Sequence, residues 1–436
     1  AQSGVGHAVW TSPNSLAGSF PDVDGGAHLY WGDGDRLVFL ANLDDWPHLY
    51  SVSLNGGAPL LLTPGAFMVE HVTESRDRRF MIYDANTGTT DGDDDRRHLF
   101  RVSVDRADPV TLTSGESLDW NPVAASEDRV AFVTAGARAP SEIGTVALRG
   151  GNRAALSAGS LPPDFPMADL VIPKSVAFRA ADATLVHGQL FEREDSAAPK
   201  PGILFVHGGP VRQMMLGWHY MDFYCNAYAV NQYLAHHGFT VLSVNYRGGI
   251  GYGRQFQQPD RAGPAGAAEY QDVVAGAHFL QSTKGVDRRR IAIWGGSYGG
   301  YLTALALARN SDIFKAGVDL CGVHDWSRFP DYIEKPAVRY EQGDRDAAIR
   351  LAWESSPDAA VKGWKSPVLL IHGDDDRNVP FQQTIDLARR LDARHVSHEE
   401  LVLPNEIHGL LRYGSWLAAD QATVEFLARK LKSNGQ

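Results

Sequence analysis

The stretch Ile293-Trp294-Gly295-Gly296-Ser297-Tyr298-Gly299-Gly300-Tyr301 joins an apolar, β-branched run to a segment rich in Ala and Leu. It reads as a strand that turns sharply into a helix with a serine at the corner. The Gly-x-Ser-x-Gly spacing has a physical reason: the backbone of such a turn is strained, neighbouring side chains would collide, and glycines remove the collision while the turn exposes Oγ above the sheet. Taken alone, the motif is also what a glycine-rich turn with an incidental serine looks like. The decision rests on what surrounds it.

Downstream, Leu370-Ile371-His372-Gly373-Asp374-Asp375-Asp376-Arg377-Asn378-Val379-Pro380 is a strand running into an acidic loop. Leu403-Pro404-Asn405-Glu406-Ile407-His408-Gly409 is a strand ending in a loop that carries His408 ahead of the last helix. A nucleophilic serine needs a histidine to carry its proton and a carboxylate to orient that histidine. Ser297, then an acid, then His408 is the nucleophile, acid, base order of α/β-hydrolases. The local pattern does not choose among Asp374, Asp375 and Asp376, and His372 reads as a turn or packing histidine. Upstream, Phe205-Val206-His207-Gly208-Gly209-Pro210 follows the first strong apolar strand. A tetrahedral oxyanion needs two N–H donors aimed in advance, one after the nucleophile and one from an early strand-to-helix loop, which makes Tyr298 and Gly209 the candidates.

Around these motifs, apolar runs at 203–206, 241–244, 291–294 and 368–371 alternate with helical stretches expected over 266–282, 301–309, 384–391 and 416–432. Buried strands separated by helices indicate an α/β fold with a mostly parallel sheet. The segment Gly159-Ser160-Leu161-Pro162-Pro163-Asp164-Phe165-Pro166 carries three prolines and reads as the linker in front of it. The expected division is therefore 1–160 and 161–436.

The first part behaves differently. His48-Leu49-Tyr50-Ser51-Val52-Ser53-Leu54 returns 50 residues later as His98-Leu99-Phe100-Arg101-Val102-Ser103-Val104, and a degenerate third copy runs from Thr145 to Gly159. Each is preceded by a charged turn and an apolar strand, at Asp35 to Leu40, Asp77 to Tyr83 and Asp128 to Val133. Repeats of several short strands at this period read as β-propeller blades, with an irregular sandwich as the plainer alternative. Residues 28–158 supply about three blades, whereas closed propellers use about 4–8. The expectation is an all-β, partial β-propeller whose missing blades lie upstream or on a separate N-terminal fragment. The chain starts at Ala1 rather than Met, which fits removal of something upstream.

Composition excludes several function classes. Of 436 residues, 44% are hydrophobic and 21% charged, the range of a folded globular chain. A net charge of −11 offers no generic grip on a phosphate backbone, so nucleic acid is not an expected partner. No apolar run is long enough to span a bilayer, so no membrane partner is expected either, while the compartment stays open. The two cysteines, Cys225 and Cys321, cannot build a disulfide framework, and Cys321 reads as a small buried hydrophobe. No metal-ligand spacing is present: the pair His236-His237 reads as solvated surface, and neither a metal nor another cofactor is expected.

The catalytic half resembles the prolyl oligopeptidase family of serine peptidases. The resemblance is carried by His207 to Pro210, Asn245-Tyr246-Arg247-Gly248-Gly249-Ile250-Gly251-Tyr252-Gly253, Gly295 to Tyr301, His372 to Pro380, and Asn405 to Gly409. It implies an N-terminal propeller before an α/β-hydrolase domain. It selects Asp376 as the triad acid, being the fifth position of the family's His-Gly-x-x-Asp pattern. It puts the oxyanion donors on Tyr298 and, in the acylaminoacyl-peptidase branch, Gly209; the dipeptidyl-peptidase branch uses a Tyr side chain where this chain has His207. It also implies a pocket for the side chain preceding the scissile bond, lined by Tyr301, Val323, Trp326 and Phe329, with Asn378 binding a substrate carbonyl. Ordinary core packing is the plainer reading of Val323, Trp326 and Phe329.

The expected function is a serine peptidase acting on short peptides through an acyl-enzyme, as an exopeptidase or oligopeptidase, in a chain that could also form homo-oligomers. A carboxylesterase-type hydrolase is the first alternative, since a triad does not separate esters from amides. A propeller binding protein with an inert hydrolase remnant is the second.

Overall fold

The computed structural model describes residues 6–15, 18, 28–157, 159–193, 198–329 and 345–431. Residue 158, inside the third repeat copy, and Lys432, the expected end of the last helix, fall outside them. The chain divides into two compact units.

The first unit holds three four-stranded antiparallel sheets, each with its strands in sequence order. They are β1–β4 (Leu29–Gly32, Arg36–Ala41, His48–Ser53, Leu60–Leu61), β5–β8 (Val69–Glu74, Phe80–Ala85, His98–Ser103, Val110–Thr111) and β9–β12 (Leu118–Ala124, Arg129–Ala135, Glu142–Ala147, Ala154–Ala155). The repeated motifs occupy equivalent places: His48 and His98 open the third strand of the first and second sheets. The shared Thr has one task in both, since Thr63 Oγ1 accepts from Leu49 N–H at 3.0 Å and Thr113 Oγ1 from Leu99 N–H at 2.9 Å. Sheets pack face to face through alternate residues. Val38, Leu40 and Leu49 of the first meet Met81, Tyr83 and Val102 of the second, and Ile82 and Leu99 of the second meet Val130, Phe132 and Val146 of the third. These are the blades that the period implied.

The second unit carries an eight-stranded sheet in the order β13-β14-β16-β15-β17-β18-β19-β20. Its strands are Lys174–Arg179, Leu185–Phe191, Lys200–Val206, Thr240–Asn245, Val286–Gly296, Phe314–Leu320, Val368–Gly373 and His398–Leu403, numbered β13 to β20 along the chain. The first two pair antiparallel and the rest run parallel, and the central strands are buried where they pair, β17 over Ile291–Gly296 after a charged start, as two-sided burial demands. The longer helices are α1 (Asp222–His236), α2 (Tyr270–Ser282), α3 (Tyr298–Arg309), α4 (Arg345–Glu354), α5 (Gln382–Asp392) and α6 (Tyr413–Leu431). Among the described residues no helix is long and apolar enough to cross a membrane.

Several boundaries differ from expectation. The helix foreseen from Gly266 starts at Tyr270, because Gly266 sits at φ 136° and closes a 3-10 turn over Gly263–Ala265. The helices foreseen from Tyr301 and Trp416 start at Tyr298 and Tyr413, and α1 and α4 were not foreseen. Finally, the first unit runs to Ala168 and also takes in Met215–Tyr220 and Gly251–Gln255, which the division at residue 160 had given to the second part. Hydrogen bonds explain it: Leu216 N–H donates to Asp95 O at 3.1 Å, Tyr220 OH to Glu70 Oε1 at 2.7 Å, and Arg254 N–H to Asp45 O at 2.8 Å.

Candidate active site

Ser297 sits between β17 and α3 with φ 59° and ψ −118°, a backbone that side chains rarely adopt. Its surroundings leave no alternative. A Cβ on Gly295 would lie 2.4 Å from Val206 O, and one on Gly299 2.1 Å from the same oxygen, so both flanking positions must be glycine. Ser297 N–H is anchored to Leu320 O at 2.8 Å, which turns the side chain outward.

The loop after β19 separates its three aspartates. Asp376 is buried; its Oδ1 accepts from the N–H groups of Asn378 and Val379 at 2.8 and 2.9 Å. Its Oδ2 faces His408 Nδ1 at 2.6 Å and His372 Nε2 at 3.1 Å. Burial pushes the Asp376 carboxyl up, but these donors outweigh it and hold the group below the usual carboxylate range. Asp374 and Asp375 are exposed, the first accepting from Asn405 N–H at 2.6 Å and the second pairing with Arg377 at 3.3 Å.

His408, in the loop after β20, completes the line with Nε2 at 2.8 Å from Ser297 Oγ. With Nδ1–H donating to Asp376, Nε2 is free to accept the serine proton. Burial lowers its pKa, while the neighbouring Cys321 and Asp376 raise it more, so the imidazole lies above its ordinary value. The structure thus brings Ser297, Asp376 and His408 into one hydrogen-bonded chain.

The turn after β15 lies against this serine. A Cβ on Gly208 would come 2.8 Å from Gly296 O and 3.2 Å from Ser297 Cβ, so only a glycine lets the two turns approach. Gly209 follows with φ 116° and lines the pocket in front of Ser297. Tyr298 N–H lies in the first turn of α3, where backbone donors have no acceptor within the helix. His207 is buried, stacked on Tyr246 at 4.3 Å, and burial pushes it down to about 4, so it is a neutral packing group.

The pocket holds about 500 Å³. Val323, Trp326 and Phe329 line it together with Tyr298, and Asn378 contributes an exposed side chain. Tyr301 does not line it. Its ring packs behind Tyr298 and Trp326, at 5.1 and 5.3 Å, and its OH donates to Ser355 O at 3.1 Å, so it backs the wall that it was expected to form.

Two contributors were not foreseen. Tyr224, on the unforeseen α1, lines the pocket. Glu269 is fully buried; it accepts Tyr298 OH at 2.7 Å and Gly263 N–H at 3.1 Å, and burial raises its pKa against those bonds. Cys321, expected as a small buried hydrophobe beside the pocket, is buried, and its sulfur lies within reach of Asp376 and His408. Among the described residues two groups bring potential metal ligands together: Cys321 with Asp376 and His408, and Glu70 with His71 and Asp84. In the latter the carboxylates are already engaged, Glu70 by Arg97 at 2.7 Å and Asp84 by His71 at 2.9 Å.

Both parts of the chain match known proteins. Residues 226–434 match the Prolyl oligopeptidase family, and residues 7–135 match the Dipeptidyl peptidase IV (DPP IV) N-terminal region. Dipeptidyl aminopeptidase BIII of Pseudoxanthomonas mexicana is 31% identical over 242 residues, 54% of this chain and 34% of that protein. A probable dipeptidyl peptidase 4 of Emericella nidulans is 28% identical over 396 residues, 86% of this chain and 48% of that protein. The chain thus spans half or less of these relatives. A puromycin-hydrolyzing peptidase of Mycobacterium tuberculosis has the same fold, with a TM-score of 0.77 at 23% identity, covering 93% of this chain and 61% of that one.

Proposed function

We propose, from the premise that residues 226–434 form a domain of the prolyl oligopeptidase family, that this protein is a serine peptidase cutting short peptides through an acyl-enzyme. The observation that carries the reading is the unbroken line Ser297 Oγ, His408, Asp376, with contacts of 2.8 and 2.6 Å, opening on a pocket with an aromatic wall.

In this mechanism Ser297 Oγ attacks the amide carbonyl while His408 Nε2 takes its proton, and the peptide C–N bond breaks as the imidazolium returns that proton to the leaving amine. Water then repeats the cycle on the ester. Asp376 fixes the tautomer and stabilises the imidazolium. The N–H groups of Tyr298 and Gly209 take the oxyanion, each such donor being worth about 3–4 kcal/mol in transition-state energy. Val323, Trp326 and Phe329 receive the side chain before the scissile bond, and Asn378 binds a substrate carbonyl.

The proposal extends to a partner: a propeller segment that covers the outer faces of the first and third blades. On the third blade Val123, Ile143 and Leu156 are 57%, 42% and 65% exposed on one face, and on the first Leu29 and Trp31 are 56% and 57% exposed. Apolar blade faces of this kind are normally buried against a neighbouring blade.

The experiment is digestion of matched peptides with free, acetylated and blocked termini, read by mass spectrometry beside matched esters. Cuts confined to one terminus type identify an exopeptidase, and internal cuts identify an oligopeptidase. Ester hydrolysis without any peptide cleavage overturns the reading in favour of a carboxylesterase.

A further inference from the structure

The thiol beside the triad has no task in the mechanism above. Cys321 follows β18, is 3% exposed, and is held at φ 47° by its N–H bond to Ile371 O at 2.8 Å. Its Sγ, a ring nitrogen of His408 and a carboxylate oxygen of Asp376 all lie within 4.8 Å of one another. One sulfur, one imidazole and one carboxylate form a donor set suited to zinc and to the softer dications that resemble it, and unsuited to magnesium or calcium, which take oxygen ligands.

We propose that Cys321, His408 and Asp376 form an inhibitory site for a thiophilic divalent cation, zinc being the representative. The ion reaches His408 from the pocket that this residue lines. On binding, the Cys321 thiol loses its proton to solvent and the metal takes a ring nitrogen of His408. The nitrogen is Nδ1: there the metal replaces the proton donated to Asp376, whose oxygen, 2.6 Å away, becomes a ligand of the same ion. With the metal on Nδ1 the neutral ring carries its proton on Nε2, which can no longer accept from Ser297, and a side-chain movement of about an ångström suffices to bring donors this close to the bond lengths of about 2.0–2.3 Å that zinc requires. Three protein ligands leave the fourth tetrahedral position to water. The consequence is an enzyme that zinc silences reversibly at the base itself, without any role for zinc in turnover.

Binding is tested on the full chain with cobalt(II), whose thiolate charge-transfer absorption reports a Co–S bond directly and needs no turnover. The band is expected with wild type, expected to vanish in both Cys321→Ser and Cys321→Ala, and expected to be displaced by zinc. The inhibition arm rests on the hydrolase reading, so the spectral arm separates its failure from failure of the site. Hydrolysis is followed under buffered zinc, with each variant scaled to its own metal-free rate. The half-inhibiting zinc concentration should rise at least about tenfold on losing the sulfur, since losing even an outer partner of a metal site costs that much. Chelator should restore the wild-type rate, and magnesium should have no effect. Absence of the cobalt–thiolate band in wild type, or zinc inhibition that is equal with and without Cys321, overturns the proposal.

Discussion

His372 and His408 meet at one atom: Nε2 of the first and Nδ1 of the second lie 3.1 and 2.6 Å from Oδ2 of Asp376. His372 is itself held from behind, with Nδ1 at 2.7 Å from Thr384 Oγ1 and Nε2 also 3.0 Å from Val379 O. The carboxylate therefore cannot rotate away from His408. One histidine carries the proton in the proposed mechanism and the other fixes the group that orients it.

The first prediction follows from that arrangement. Asp376→Asn should lower kcat by about 10⁴, because an amide offers the wrong hydrogen-bond pattern to His408 and selects the wrong tautomer. Asp374→Asn and Asp375→Asn, both exposed, should stay within about threefold of wild type, the range of a surface change of about 0.5 kcal/mol. His372→Gln should fall between. Steady-state kinetics on a peptide substrate check this, and equal losses at all three aspartates would remove Asp376 from its role.

The second concerns Glu269, whose buried carboxylate joins Tyr298 OH to Gly263 N–H. Glu269→Ala leaves two buried donors without an acceptor, each costing about 1–3 kcal/mol, and loosens a wall residue and a rim residue of the pocket together. The expected result is a rise in KM for peptides larger than the fall in kcat. A double-mutant cycle with Tyr298→Phe should show coupling of about 1 kcal/mol, whereas additive losses would mean that Glu269 only supports folding.

The third separates lining from backing. Phe329→Ala and Trp326→Ala should change which side chain is preferred before the cut, because both rings face the pocket. Tyr301→Phe should leave that preference unchanged and lower stability by about 1 kcal/mol through loss of its bond to Ser355 O. Profiling against a peptide series, with thermal unfolding alongside, distinguishes the two effects.

How far the sequence carried the structure depended on distance along the chain. Ser297 and His408 were legible because strand-turn motifs announce them locally, and the blades because His48 and His98 repeat. Asp376 was separable from its neighbours only by family resemblance, since which of three adjacent carboxylates turns inward depends on donors from Asn378, Val379 and another loop. Tyr301 was placed in the lining by alignment, whereas its position one helical turn past Ser297 puts its ring behind Tyr298. Glu269 lies 29 residues before the tyrosine it holds, and nothing in a linear pattern joins them. Cys321 looked like a small hydrophobe, and in burial it is one; its nearness to His408 exists only after β18 and β19 pair.

The fourth prediction is a pH dependence of stability. Burial raises Asp420, on α6, from an ordinary 3.8 to about 7. A carboxyl whose folded pKa is raised binds its proton more tightly folded than unfolded, so its contribution is most favourable at low pH and is lost as pH rises from about 4 to about 7. Asp420→Asn should therefore stabilise the protein by on the order of 2 kcal/mol at pH 8 and by almost nothing at pH 4. Denaturant unfolding at the two pH values tests the sign, and a benefit that is larger at pH 4 would contradict it.

The fifth sets stability against activity at Ser297, the proposed nucleophile. Ser297 is held at φ 59° and ψ −118°, which costs a non-glycine residue about 1–3 kcal/mol and persists only because Gly295, Gly299 and the Leu320 carbonyl leave the chain no other path. Ser297→Ala keeps the strain and removes the oxygen, so peptide turnover should vanish with unfolding unchanged within about 0.5 kcal/mol. Ser297→Gly also removes the Cβ that makes this backbone costly. Its unfolded chain is more flexible, which offsets about 1 kcal/mol of the relief, yet the variant should be as stable as wild type or more so. An inactive glycine variant that unfolds more easily than the alanine variant would mean that the turn is relaxed, and that the serine sits there without the strain a nucleophile elbow requires.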